Sequence, residues 1–527
     1  MITLFNRKEI LITYDMKQQS DVRTILRAHG IEYEVKVKNL LSPSPLHTSG
    51  RTYLASRGAD LTKSYEYKIF VKRSDYEMAA VILKEKSVMY MHSIFGGRKM
   101  GKVDKEEALK FLMETVKPSL GCTEPACAAL CAAAAAEQLL NVPEKISITL
   151  NSGLYKNGMS VAIPGFNRVG MDYAAALGAM IGSTKDDLQI FKSITPEIEK
   201  NAKVLVESGH VSVTVDYAQK GIYASCEIVS GKDIARAVVQ NAHTNLVLVS
   251  LNGEIRFQKE LQSGSSMDPA DTLKEMTIGE ISRLVDSMEP SELDWLVDGA
   301  NRNIEVAAYG LQNPSPVGIA AALEQNFCTS EVDAMMRLVG AAIESRLDGC
   351  QYAVTSSAGA GSKGLALTIP LSIAAEYGKK DREELSKALA FGHLVNSYIN
   401  AVVGKLSAVC TCAAAASTAA SAALVKLWGG TEEQMGYAIR NMTGTVSGMI
   451  CDGGKTGCAM KLSMATSAAY LSARMAIQNA SLRESDGICA LSPEQCIENI
   501  AQIANAGMAN VDSEILRIML GKKNDKI

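Results

Sequence analysis

The sequence predicts α+β N-terminal parts followed by a mostly all-α C-terminal domain, in a multidomain chain. Three observations carry this. The 527 residues exceed what a single hydrophobic core usually serves and suggest roughly three domains of about 100–200 residues. Strand-like alternation is concentrated before residue 256, and the chain beyond it breaks into segments of helical character separated by Gly, Asn and Ser. Aromatic residues are only 5% of the chain while Ala and Gly abound, and small residues in that quantity favour closely packed helices over a β-sandwich.

The first unit is read over residues 1–95. Residues 9–14 (EILITY) are strand-like, residues 19–29 helical, and Gly30 closes that helix in the left-handed conformation that a C-terminal cap favours. Residues 31–37 (IEYEVKV) alternate as a strand, residues 40–64 form a Ser/Pro/Gly-rich loop, residues 65–71 (YEYKIFV) are a strand, and residues 74–84 are a helix. The order resembles small ferredoxin-like signal-transducing domains. A linker, GGRKMGKVDK, spans residues 96–105.

The second unit, residues 106–255, is read as an α+β domain. A helix at 106–115 leads through SLGCTEP into a long Ala-rich helix starting near Pro125, followed by strands at 145–150, 203–206, 211–217, 222–228 and 245–251. The third unit, residues 256–520, is read as nearly all helical. Its helices are expected at 278–287, 290–308, 330–346, 369–376, 382–403, 413–427, 431–442, 461–479 and 493–505.

Charge and cysteine usage exclude several function classes. Lys and Arg number 54 against 57 acidic residues, a net charge of −3, so the chain lacks the basic excess of a dedicated nucleic-acid binder. Twelve cysteines are too sparse and irregular for a secreted disulfide scaffold. The N-terminus carries no signal-peptide pattern, so a cytoplasmic location and reduced thiols are expected. Residues 406–425 (LSAVCTCAAAASTAASAALV) contain no charge, but their Ala, Ser, Thr and Cys are weakly apolar, so a buried helix is expected and no membrane partner.

Chemistry concentrates in the cysteines. Cys451 and Cys458 flank a glycine-rich turn in MICDGGKTGCAMK, and Cys410-Thr-Cys412 precedes a buried helix. Glycines let the backbone wrap closely around a bound object, and such a loop facing a C-x-C pair is plausible geometry for an iron–sulfur cluster held by thiolates. The spacing does not match the paired knuckles of a zinc ribbon. Cys489 and Cys496, like Cys127 and Cys131, read as packing residues. Cys122 lies in SLGCTEP just before a helix start marked by Thr123 and Pro125. The positive end of that helix would lower the thiol pKa and place a thiolate beside an anionic small substrate. His243 and His393 read as structural.

SLGCTEP, LYKNGMSVAIPG (residues 154–165), SSAGAGSKG (356–364), LSAVCTC and GMICDGGKTGCAMK together resemble the L-cysteine desulfidase family, which is related to iron–sulfur L-serine dehydratases through an α-chain-like domain. The resemblance spans about residues 106–480. It implies a 4Fe–4S cluster ligated by Cys451, Cys458 and one of Cys410 or Cys412, both about forty residues before Cys451. It also implies that Cys122 is the catalytic cysteine, with a thiol where serine dehydratases carry a Ser/His-rich loop.

The expected reaction is β-elimination from an L-amino acid, L-cysteine giving pyruvate, ammonia and hydrogen sulfide, in a lyase of L-cysteine catabolism. Cys122 is the expected base. A Gly/Ser loop with Ser356, Ser357, Gly359, Gly361, Ser362 and Lys363 is the expected carboxylate site, with Asn157 and Lys156 also facing the substrate. Three alternatives stay open: an L-serine dehydratase, a lyase using pyridoxal phosphate on Lys363, and a non-catalytic amino-acid sensor. The expected partner is a small amino acid, without nucleic acid, and a homodimer is the one assembly entertained.

Overall fold

A computed structural model describes residues 6–13, 22–23, 26–27, 29–39, 65–76, 78–79, 103–219, 221–259, 269–327, 329–404 and 406–524. The chain divides into two compact units, Met1–Met100 and Gly101–Ile527.

In the first unit, strands β1 (Arg7–Thr13), β2 (Tyr33–Asn39) and β3 (Tyr65–Lys72) form a sheet in the order β1-β3-β2. Both pairings are antiparallel, so β1 and β2 run in the same direction on either side of β3. Tyr67, Ile69 and Val71 alternate inward on β3, and Ile69 and Val71 meet Leu26, Ile31 and Ala79 in a small core. Gly30, at φ +69°, turns the chain out of its helical segment, with its N–H on Arg27 O and the Ile31 N–H on Leu26 O. The expected loop at 40–64 and most of the linker lie outside the described residues, as do parts of both expected helices.

The second unit begins with α1 (Lys105–Thr115), β4 (Pro118–Ser119) and the Ala-rich α2 (Thr123–Ala136). There follow β5 (Lys145–Asn151), α3 (Ser152–Gly158), the hairpin β6 (Ala162–Ile163) and β7 (Phe166–Val169), α4 (Met171–Ile181) and α5 (Pro196–Glu207). Strands β8 (Val211–Asp216), β9 (Tyr223–Ser230), β10 (Asp233–Gln240), β11 (Leu246–Leu251) and β12 (Glu254–Gln258) complete a six-stranded sheet in the order β12-β11-β10-β9-β5-β8. Only β5 and β8 pair in parallel; the other pairings in this sheet are antiparallel. Every residue of α2 is buried, because the helix is sandwiched between the sheet and α4. Cys127, Cys131 and Cys226 are fully buried in that layer.

Alanine is what allows α2 and α4 to approach so closely. A Cβ on Gly178 would lie 2.0 Å from the carbonyl oxygen of Ala129. Gly178→Ala is therefore expected to force the two helices apart and destabilise the unit by about 1–3 kcal/mol, read as a lower urea midpoint. An unchanged midpoint would mean that the helices are not in backbone contact.

The helical part comprises α6 (Pro269–Leu273), α7 (Ile278–Asp286), α8 (Pro290–Gln312), α9 (Ile319–Asn326) and α10 (Glu331–Leu347). After β13 (Val354–Thr355) come α11 (Gly361–Tyr377), α12 (Arg382–Val403), α13 (Thr418–Leu427), α14 (Glu432–Thr443), α15 (Cys458–Ile477), α16 (Pro493–Gln502) and α17 (Val511–Asn524). All of these helices except α17 contribute to one continuous apolar core. Residues 412–417 form a π-helical turn that runs into α13, and the uncharged stretch is buried among its neighbours. No helix of the described residues is long and apolar enough to cross a membrane.

Two segments depart from expectation. Residues 203–206 are not a strand but the end of α5, whose Thr195 hydroxyl accepts from the Ile198 N–H and whose first residue is Pro196; cap and proline outweigh the β-branched run. The helix expected from residue 369 begins at Gly361 and carries Pro370 in its interior. Its first turn is therefore the second half of the expected Gly/Ser loop. A Cβ on Gly364 would lie 1.9 Å from Thr355 O, so that glycine serves close packing inside a helix.

Candidate active site

Two short chain pairings assemble the site. Strand β4 pairs antiparallel with β13, Ser119 opposite Val354 and Pro118 opposite Thr355. The Lys117 N–H donates to Ser356 Oγ at 3.1 Å, and the Ser356 N–H donates to Lys117 O at 2.8 Å. This ladder sets the Cys122 loop beside the Gly/Ser loop. In the second pairing Val409 bridges Ile450, the Cys410 N–H donates to Met449 O at 2.7 Å, and the Cys451 N–H donates to Ala408 O at 2.8 Å. It brings the C-x-C segment alongside the glycine-rich turn.

Both pairings open onto one cavity of about 260 Å³, the scale of a small metabolite. Cys122, Asn157, Gly359, Gly361, Ser362 and Lys363 line it, and so do Cys410, Cys412, Cys451 and Cys458. Residues expected to act together but separated by more than 300 positions thus meet in one chamber. Ser357 and Lys156 do not line it. The Ser357 hydroxyl lies 2.8 Å from His393 Nδ1 and accepts from Asn396 Nδ2 at 2.8 Å, so Ser357 anchors the loop from behind. Lys156 Nζ donates to Cys451 O at 2.7 Å and pairs with Asp512 at 2.6 Å; it fastens the cysteine turn to α3. His393 is completely enclosed, and burial pushes its pKa down to about 3, a neutral structural imidazole. Cys328 lies outside the described residues, and Cys489 and Cys496 are buried beside α14, away from the cavity.

The Gly/Ser loop is a tight turn. Ser357 and Ala360 exchange both backbone hydrogen bonds at 3.1 Å, and the two residues between them have positive φ, Ala358 at 47° and Gly359 at 72°, as a type I′ turn requires. The non-glycine Ala358 in that conformation stores strain at the cavity edge. Lys363 Nζ donates to Asn400 Oδ1, whose amide in turn donates to Asn396 Oδ1. These bonds fix the lysine at the cavity wall.

The four thiols fit a thiolate-held cluster by the chemistry of the donor set. Cys410 and Cys451 leave the bridged pair of extended segments, Cys458 opens α15, and Gly453, at φ +90°, lets the turn lie against α3. A Cβ on Gly453 would lie 2.5 Å from Lys156 O, and one on Gly454 would lie 2.7 Å from Asn157 O. Among the described residues no three His, Cys, Asp or Glu stand at the spacing of a single metal ion; thiolates around a cluster stand apart by the size of the cluster itself. The neighbouring Cys412 thiol holds the Cys410 pKa below its ordinary value despite burial, with Lys461 assisting; Cys410 and burial raise that of Cys412. Burial raises Cys451 and Cys458, opposed by Lys156 and Lys455 respectively.

The N-cap of α2 falls on Cys122, one residue before the Thr123 that marks the helix start in the sequence, and the electrostatics of the thiol run opposite to expectation. Burial first and the Glu124 carboxylate second push the thiol well above its ordinary value, with Arg346 opposing. The helix-end effect is overridden. Cys122 Sγ donates to Glu124 Oε2 at 3.0 Å, and Asn157 Nδ2 donates to Oε1 at 3.2 Å. Burial alone would raise the Glu124 carboxyl, but His243, the Cys122 thiol and the other donors outweigh it and hold it below its ordinary value. Glu124, which the sequence reading passed over although it stands in the same motif, thus supplies a buried carboxylate on the cavity wall. Arg346, the last basic residue of α10, was also passed over and lines the same wall.

One buried chamber thus gathers a thiol–carboxylate pair, four further cysteines and the turn at the start of α11. The model of the family described as serine dehydratase alpha chain matches residues 185–517, and the chain belongs to that family. It is similar to UPF0597 proteins of Desulfotalea psychrophila (35% identical over 418 residues, 77% of this chain and 96% of the relative) and Clostridioides difficile (35% over 423, 78% and 98%). A UPF0597 protein of Caldanaerobacter subterraneus is 35% identical over 414 residues, 78% of this chain and 97% of the relative. The relatives are thus matched over nearly their whole length, while roughly a fifth of this chain has no counterpart in them.

Proposed function

We propose that the protein is an iron–sulfur-dependent lyase that removes the β-substituent of an L-amino acid, with L-cysteine as its main substrate. The observation that supports this most is the convergence of the Cys122–Glu124 pair and the cysteines of two distant segments on one small cavity. Cys451, Cys458 and Cys410 would hold the cluster. When bound, a cluster held by three thiolates supplies an iron with an open coordination position, a Lewis acid suited to a departing sulfur.

The chain's own residues handle binding and protons. The substrate carboxylate is received where the Gly/Ser turn runs into the N-terminus of α11. The Cα proton passes to Cys122 Sγ as the thiol's own proton passes to Glu124, 3.0 Å away. Sulfur therefore never has to exist as a free thiolate, which reconciles its raised pKa with its role; the pair ends with one proton on each group. The Cβ–S bond breaks, sulfide leaves, and the enamine tautomerises and hydrolyses to pyruvate and ammonia. Burial of the chamber keeps water from competing for the proton.

The family match favours L-serine as the rival substrate. Anaerobic, iron-loaded protein should release pyruvate and sulfide in equal amounts from L-cysteine, with kcat/KM at least tenfold above that for L-serine. A preference for serine would make it a dehydratase. A sharp yellow aldimine band would place pyridoxal phosphate on Lys363, and iron-loaded protein that turns over neither amino acid would end the lyase reading.

A further inference from the structure

We infer that Arg346 and the N-terminus of α11 form a carboxylate site in which the guanidinium, rather than the serines of the loop, is the principal anchor. Arg346 is only 2% exposed, among the largest fully buried side chains of the described residues. A guanidinium cannot shed its charge, so burial this deep normally demands a carboxylate partner. Among the described residues it forms no ion pair. Nη1 donates to Ser362 Oγ at 2.8 Å and Nη2 donates to Gly121 O, both neutral acceptors, while Nε is buried without a partner.

Its position sharpens the point. Arg346 lies against the first residue of α11: a Cβ on Gly361 would stand 2.7 Å from both Nε and Nη2. That end of the 17-residue helix has Ala360 as N-cap and no side-chain cap, so its free N–H groups and its positive dipole face the same region. A buried cation placed on the positive end of a helix is repelled unless an anion lies between them. Glu344, two residues earlier on α10, is not that anion; its carboxylate accepts from Ser315 and from the N–H groups of Ile319 and Ala320 at the start of α9. Arg346 and the first residues of α11 all line the cavity that holds Cys122. Glu124 is not that anion either, as its two oxygens are taken by Cys122, Thr123 and Asn157; what Arg346 and the start of α11 would receive together is one further small monoanion with two oxygens, a carboxylate.

The identity of the ligand rests on the elimination reading: the carboxylate is the α-carboxylate of the substrate, which sets Cα–H toward Cys122. The test is a binding measurement on anaerobic, iron-loaded protein, by titration calorimetry with L-alanine, which has no leaving group, and with L-alaninamide. Wild type is expected to bind the acid at least tenfold more tightly than the amide. In Arg346→Gln the acid should lose about tenfold to a hundredfold in affinity and the amide nothing. Arg346→Lys, which keeps the charge without the planar fork, should fall between and raise KM for turnover more than it lowers kcat.

Wild type that binds acid and amide equally, or binds neither, overturns the inference. So does either folded variant that keeps the wild-type affinity and preference. If the glutamine variant does not fold, the lysine variant and the wild-type ligand pair still decide. Arg346-dependent binding in a protein that eliminates from no amino acid would sink the lyase reading and leave the carboxylate site standing. Turnover with binding indifferent to Arg346 would do the reverse.

Discussion

Changing Cys451 or Cys458 to Ser is expected to abolish iron binding and the brown colour that accompanies it, whereas the wild-type protein purified without air should carry about four irons per chain. The size of the effect follows from how the site is made. Cys451 follows the residue that is bridged to the C-x-C segment, and Cys458 is the first residue of α15, so each is placed by its own backbone element. A serine hydroxyl is a harder, far less acidic donor, and with three protein ligands the loss of one leaves two. Cys410→Ser should behave the same way, while Cys412→Ser should keep iron. Metal analysis and the broad visible absorption read all four variants. Full iron in Cys451→Ser or Cys458→Ser would show the ligand assignment to be wrong, and loss in Cys412→Ser with retention in Cys410→Ser would exchange those two.

The fold and site were unequally legible in the sequence, for physical reasons. The division into α+β and helical parts could be read because periodicity is a local property, and the strands at 9–14 and 145–150 and the helices at 382–403 and 493–505 fall close to their observed bounds. Residues 203–206 failed because KVLV carries two β-branched valines, while the cap and proline that start α5 stand eight and seven residues before Lys203. Gly361 and Gly364 read as loop residues because glycine in isolation means a turn; here it permits Arg346 and Thr355 to touch the first turn of α11. Cys122 was found through its helix start, but the same sequence could not show its burial, which reverses the direction of its pKa shift. Glu124 and Arg346 were missed for a related reason. An acid in the first turn of a helix and a base in the last are what the dipole favours anywhere, so neither stands out until the fold buries both against one cavity.

Cys122→Ser and Glu124→Gln are each expected to retain the cluster and lose turnover by about 10²–10⁴-fold. Neither group belongs to the cysteine set of the second pairing, and each variant preserves size and hydrogen-bonding shape, so iron content should stay at the wild-type level. In Cys122→Ser the relay atom becomes a hydroxyl, which accepts a proton from carbon far less readily than sulfur. In Glu124→Gln the thiol loses the carboxylate that takes its proton, and an amide cannot accept it at neutral pH. Because the two groups move one proton as a unit, the double variant should be little worse than either single one. Exchange of the substrate Cα proton with solvent should vanish in all three. The pH profile separates a relay from a scaffold. The acid limb of kcat/KM reports protonation of the pair in wild type, and it should disappear from the residual activity of Glu124→Gln, where no carboxylate remains to titrate. Glu124→Gln with full turnover would leave Cys122 as a base that needs no proton acceptor behind it. Cys122→Ser with full turnover would assign proton abstraction to Glu124 directly, and loss of iron in Cys122→Ser would move the thiol from the proton path to the cluster.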